Sequence, residues 1–113
     1  MKIIKDKISL SELEAMAKKL MGTYVKAVVD IERKIMAIDS ELHSDEESLL
    51  IENGSKQYNL WGINLYPDIK DENWIEFDSM INLRPSQENR SRGVENPETR
   101  KQIIGIVNLL VEK

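Results

Sequence analysis

Residues 24–39 read YVKAVVDIERKIMAID, and this stretch decides the fold. Val25, Ala27, Val29 and Ile31 alternate with Lys26, Val28 and Asp30, the two-residue period of a strand with one well-buried face. Lys34 to Asp39 forms a second apolar run, and only Glu32-Arg33 separates the two. So short a break predicts an antiparallel hairpin, although the turn lacks the Asn-Gly or Asp-Gly that favours a two-residue connection.

Upstream of the hairpin, Ser9-Leu10-Ser11-Glu12 has the form of a capping box, with the serine hydroxyl accepting from an N–H of the first turn. Leu10, Leu13, Ala17, Leu20 and Met21 share one face of the helix that follows. Gly22 stands where a left-handed cap ends it. Residues 2–8 read as a short edge strand or an arm. Downstream, Ser44 and Glu47 repeat the capping pattern and predict a short helix over 44–53. Gln57 to Tyr66 is a strand with Trp61, Ile63 and Leu65 on one face, closed by Pro67, which cannot donate to a ladder. Trp74 to Leu83 reads as its hairpin partner, with Ile75, Phe77, Ile81 and Leu83 inward. Asn96 as cap and Pro97 at the first helical position open a last helix, striped by Ile103, Ile104, Val107, Leu110 and Val111.

The order α-β-β-α-β-β-α predicts an α+β fold, a two-layer sandwich in which three helices cover one face of a largely antiparallel sheet of four or five strands. The other face would then be open to water. It would carry Asp30, Asn64, Glu76, Asp78 and Asn82, with Val28, Trp74 and Met80 as apolar islands. One domain spanning 1–113 suits the length.

Composition removes several kinds of chemistry. The chain has no cysteine, so disulfides, thiolate zinc sites and a cysteine nucleophile are all excluded. His43 is the sole histidine, and a two-histidine metal site within one chain is impossible. A net charge of −4 and a pI near 5.1 disfavour general nucleic-acid binding. The N-terminus alternates lysine with isoleucine and lacks the apolar stretch of a signal peptide, and no segment reaches membrane-span length. A cytoplasmic protein is expected.

Against that acidic background, residues 84–92 read RPSQENRSR. Arg84, Arg90 and Arg92 offer forked recognition of carboxylate or phosphate. Ser86, Asn89 and Ser91 add neutral hydrogen-bonding groups, and the helix starting near Asn96 could add backbone N–H groups. The plainer reading is that these arginines pair with Glu88, Glu95 and Glu98, which contributes little to stability. A second candidate lies in Asp39, Glu41 and His43, which project from one side of an extended chain. They resemble a facial metal triad or a base with its orienting groups. Asp30, Asn64, Glu76, Asp78 and Asn82 on the open face could offer oxygen ligands to a hard cation, and Asp30, Asp39, Glu41 and His43 are the metal candidates of an enzyme reading. Acidic residues before a helix also serve its N-terminal dipole, with no metal involved.

The segments NGSKQ (53–57), LWGINLYP (60–67) and NLRPSQ with NRSRGVE (82–87 and 89–95) carry a resemblance. Over roughly residues 10–112 the chain resembles a family of small prokaryotic proteins grouped as a domain of unknown function. The resemblance implies one complete domain of bacterial or archaeal origin and brings no catalytic residue with it. Three functions are therefore weighed on the residues themselves. The first is a binding module for an anionic small molecule or an acidic partner segment, gripped by the arginine loop. The second is a metal-assisted enzyme on a phosphorylated or carboxylated substrate, which requires the loop and the acidic segment at the same end of the sheet. The third is a homodimeric interaction protein joined through Trp61, Trp74, Tyr66 and Met80. A local RNA contact through the loop ranks below these.

Overall fold

A computed structural model describes all of residues 1–113. The elements are β1 (Lys2–Ile4), β2 (Ile8–Ser9), α1 (Leu10–Leu20), β3 (Val25–Asp30), β4 (Ile35–Ile38), α2 (His43–Glu52), β5 (Leu60–Leu65), β6 (Ile75–Glu76), α3 (Pro97–Leu110) and β7 (Val111–Glu112). The fold is α+β with a five-stranded antiparallel sheet in the order β1-β4-β3-β5-β6, and the expected element order holds with short strands added at both ends. β2 and β7 pair in parallel, which ties the start of α1 to the end of α3. Val111 leaves the helix to make this pairing.

The helix limits follow their caps. The Ser9 hydroxyl accepts from Glu12 N–H at 3.1 Å, and Gly22 takes a φ of +96° just past the end of α1. Asn96 caps α3 through Glu98 N–H at 2.9 Å. The β3–β4 turn differs from expectation, because Ile31 to Lys34 all lie outside the strands and Lys34 has a φ of 57°. The Asp30 carboxylate holds it by accepting from the N–H groups of Glu32 and Arg33, each at 2.9 Å. An aspartate mimicking a backbone turn thus replaces the missing Asn-Gly.

The expected placement of all helices on one face is corrected. α1 and α3 pack on the face of Val25, Ala27, Val29, Met36, Ile38, Trp61, Ile63 and Leu65, in a cluster of 21 buried residues. α2 lies on the opposite face, where Leu50 packs on Val28, Ile35, Ala37 and Leu60 in a cluster of only five. The face expected to be open is therefore covered, by α2 and by the chain from Ser79 onward. Asp30 and Asn82 are fully buried there. The expected dimer patch is corrected too: Trp61 and Trp74 are core residues, and Met80 alone of the four is largely exposed.

The strand expected over 74–83 also stops early, at Glu76. Beyond it the chain coils into a single 3₁₀ turn over Met80–Asn82, and Asn82 takes over the strand's role. Its carboxamide accepts from Gly62 N–H at 2.8 Å and donates to Gly62 C=O at 3.0 Å. A side-chain amide has the same donor and acceptor as a peptide group, so the β5 edge is satisfied without a partner strand. Gly62 is required at this point, since a Cβ there would lie 2.6 Å from the Ser79 side chain.

Candidate functional site

The arginine loop is built on two asparagines. Asn89 is buried and donates to Asn82 C=O and Gly93 C=O, both at 2.8 Å, while its oxygen accepts from Glu95 N–H at 2.9 Å. Arg84 and Asn89 exchange backbone hydrogen bonds of 2.8 and 3.1 Å around a 3₁₀ turn over Pro85–Gln87. Asn89, expected to face a ligand, is thus the loop's internal anchor.

The three arginines do not converge. Arg84 donates to Gln57 C=O at 2.6 Å, to Leu60 C=O and to the Gln87 side chain at 3.1 Å, and its guanidinium stacks 4.2 Å from the Trp61 ring. It straps the entry to β5, where the sheet edge has carbonyls and no strand to receive them. Burial lowers its pKa, with Glu47 opposing. Arg92 donates through Nε to Asp78 at 2.7 Å, and its terminal nitrogens make no hydrogen bond. The Arg90 side chain is exposed and unpaired, while its backbone N–H donates to Glu95 at 2.7 Å. Ser86 and Ser91 are exposed, the latter accepting from Gly93 N–H at 3.2 Å. The start of α3 offers little to an anion, because Asn96 occupies Glu98 N–H and Pro97 has none.

The expected metal ligands are not brought together. Both Asp30 oxygens are engaged, Oδ2 accepting from the Ser55 hydroxyl at 2.6 Å. Asp30 pairs with Ile35, the first residue of β4, whereas Asp39 follows the last, at the other end of the sheet. Asp39 lies 3.9 Å from the N-terminal ammonium, and Glu41 is exposed. No three carboxylate or imidazole side chains are grouped to hold a metal ion.

A different group forms where α2 begins. Lys26, Asn64 and Glu76 stand abreast on β3, β5 and β6. Asn64 donates to Glu76 at 2.8 Å and Tyr66 O–H donates to the same oxygen at 3.1 Å, while the buried Asn64 Oδ1 has no partner. His43, the first residue of α2, is buried with Nε2 2.8 Å from Ile63 C=O. A carbonyl can only accept, so Nε2 carries the hydrogen and the neutral ring leaves a lone pair on Nδ1. Burial pushes the imidazole pKa down, Lys26 and Arg92 push the same way, and the Ile63 bond and Asp78 oppose them. The expected capping role of Ser44 is absent, since α2 starts without a side-chain cap.

One turn along α2, Glu46 is fully buried and neither carboxyl oxygen has a well-formed hydrogen bond, the nearby Ser40 backbone opposing the effect of burial only in part. Burial pushes its pKa up to about 10, so the group is a neutral acid at pH 7. Glu76 and Asp78 each accept charge-assisted bonds, whereas Lys26 Nζ and the Arg92 terminal nitrogens are unengaged. The group's two cations are matched by two carboxylates in formal charge, but the cations keep free hydrogen-bond donors. Of its members the sequence marked His43 and Arg92 as candidates and placed Asn64, Glu76 and Asp78 on this face as possible oxygen ligands; Lys26 enters only through the strand register.

Neither the curated proteins nor the solved structures include a match to this chain. The model of a family described as protein of unknown function (DUF5674) matches residues 2–110. The chain belongs to that family, and its arginine loop and α2-face group both lie inside the matched span.

Proposed function

We propose that the chain is a binding domain for a small oxyanion, taken up at the α2 face beside the Arg92 end of the loop. Lys26 and the terminal nitrogens of Arg92 supply the positive charge. His43 Nδ1 accepts from a hydroxyl of the ligand, so a monohydrogen phosphate or a hydroxy acid matches the group better than a fully ionised anion. The observation that carries this reading is His43: a buried imidazole, fixed at Nε2 and unpartnered at Nδ1, beside two cations with free donors. Unlike Asn64 Oδ1, His43 Nδ1 is not closed to solvent, so a ligand can reach its lone pair. The Arg84 end of the loop has no comparable surplus, and the metal-assisted alternative lacks its ligand set. We place the protein in the cytoplasm of a prokaryote, the compartment on its cysteine-free composition and the source on the resemblance carried by its NLRPSQ and NRSRGVE segments.

Calorimetry with inorganic phosphate tests the reading. The parent protein should bind, Lys26→Ala should weaken binding about tenfold, the worth of about 1.4 kcal/mol, and Arg90→Ala should leave it unchanged. Unfolding midpoints should stay level in both variants. No phosphate binding by the parent, or equal affinity in Lys26→Ala, would overturn it.

A further inference from the structure

The His43 ring is only 8% exposed, with Nε2–H held by Ile63 C=O at 2.8 Å and Nδ1 open to solvent without a partner. A histidine that works as a base commonly gives its second N–H to a carboxylate, which stabilises the imidazolium once the proton arrives. Here a neutral backbone carbonyl takes that place. Burial, Lys26 and Arg92 all disfavour the imidazolium, and Asp78, the one carboxylate that opposes them, already accepts from Arg92 Nε at 2.7 Å. Nδ1 is therefore a weak base whose lone pair stays available at neutral pH, which suits a nucleophile better than a proton acceptor. The surroundings suit an incoming phosphoryl group. Lys26 Nζ and the Arg92 terminal nitrogens keep free donors for its oxygens. Leu42, the residue before α2, has no side chain to cap the first N–H groups of that helix, so these too stay open to an anion. Side chains tilt towards the start of their own helix, and His43 is the first residue of α2, so its ring lies at that end. Asp45, the exposed carboxylate of the first turn, stands two residues on and thus on the opposite side of the helix.

We propose that His43 is a phosphoryl acceptor, taking a phosphoryl group on Nδ1 from a small acyl phosphate. The inference rests on the oxyanion site proposed above and gives that site a substrate class. In the step, the Nδ1 lone pair forms an N–P bond while the P–O bond to the acyl group breaks on the opposite side of phosphorus. The carboxylate leaves with that electron pair and needs no proton. Nε2 keeps its hydrogen on Ile63 C=O, and the positive charge gained by the ring is offset by the phosphoryl dianion beside it. Lys26 and Arg92 neutralise the phosphoryl oxygens throughout.

The probe is acetyl phosphate, followed by intact mass and by phosphorus–nitrogen correlation NMR at alkaline pH, where an N–P bond survives. The parent should gain a single phosphoryl group, at Nδ1 of His43, at least about tenfold faster than a synthetic peptide of residues 39–47. In that peptide the same histidine has no lysine or arginine beside it. Lys26→Ala should slow labelling about tenfold, and Arg90→Ala should leave the rate unchanged. His43→Gln keeps an N–H donor for Ile63 C=O but has no Nδ1, and it should stay unlabelled. Because the NMR assigns the labelled nitrogen in the parent, the result does not depend on the folding of that variant. An unlabelled parent, labelling at Nε2, a rate equal to that of the peptide, or equal labelling of His43→Gln would each overturn the proposal. A failure here with phosphate binding intact in calorimetry counts against the acceptor role alone, whereas loss of both removes the oxyanion site as well.

Discussion

The two faces of the sheet are built on opposite principles. Under α1 and α3 lie 21 buried hydrophobic residues, with the Trp61 indole N–H their one buried unpartnered side-chain atom, closed at the ends by the β2–β7 pairing. Under α2 the apolar cluster has five members, and Asp30, His43, Glu46, Asn64, Ser79 and Asn82 are buried around it. The first face can be explained by area removed from water. The second cannot, because it buries a carboxyl group and an amide oxygen with no partner. Such a face lowers stability, and proteins tolerate that where the groups have a task. Stability and recognition are thus divided between the two sides of one sheet.

The sharpest way to break this division is through Glu46. Its carboxyl is protonated in the native state up to about pH 10, whereas the unfolded chain releases that proton near 4.5. The sign follows directly: this group's contribution is fully present below pH 4.5 and is lost as pH rises towards 10. Each pH unit in that window costs about 1.4 kcal/mol, so the loss between pH 5 and pH 8 is about 4 kcal/mol. Denaturant unfolding of Glu46→Gln should lack this slope and gain on the parent steadily as pH rises. Parallel pH profiles for the two proteins would show that Glu46 is charged or solvated.

Leu13→Ala sharpens the comparison from the other side. Leu13 is fully buried in the large cluster, and its truncation should cost about 3 kcal/mol. Phosphate affinity, measured where the variant is still folded, should not change. A loss of binding along with stability would mean that the two faces are coupled.

How much of this could be read from the sequence depends on how local the determinant is. Ser9, Gly22, Asn96 and Pro97 set the limits of α1 and α3 through contacts within a few residues, and those limits were legible. The faces of β3 and β5 were legible from their alternation. The position of α2 was not, because its inward side carries His43 and Glu46, residues whose chemistry predicts exposure. β6 was overextended for a related reason: residues 78–83 keep a strand-like pattern, but Asn82 replaces the strand with its side chain. The arginine loop was visible as a charge anomaly. That Arg84 would strap β5 while Arg92 sits near His43 is set by contacts 24 residues and more away along the chain, which no local pattern records.

The most direct test of the α2 face as the recognition surface is the titration of His43 by nitrogen-detected NMR. The chain has one histidine, so the imidazole signals need no assignment. In the free protein Nδ1 should be unprotonated at pH 7, with a titration midpoint below the ordinary 6.5. Saturating phosphate should lower that midpoint further, because a ligand hydroxyl donating to Nδ1 stabilises the neutral imidazole. A midpoint at or above 6.5 in the free protein, or one that phosphate does not lower, would contradict the account.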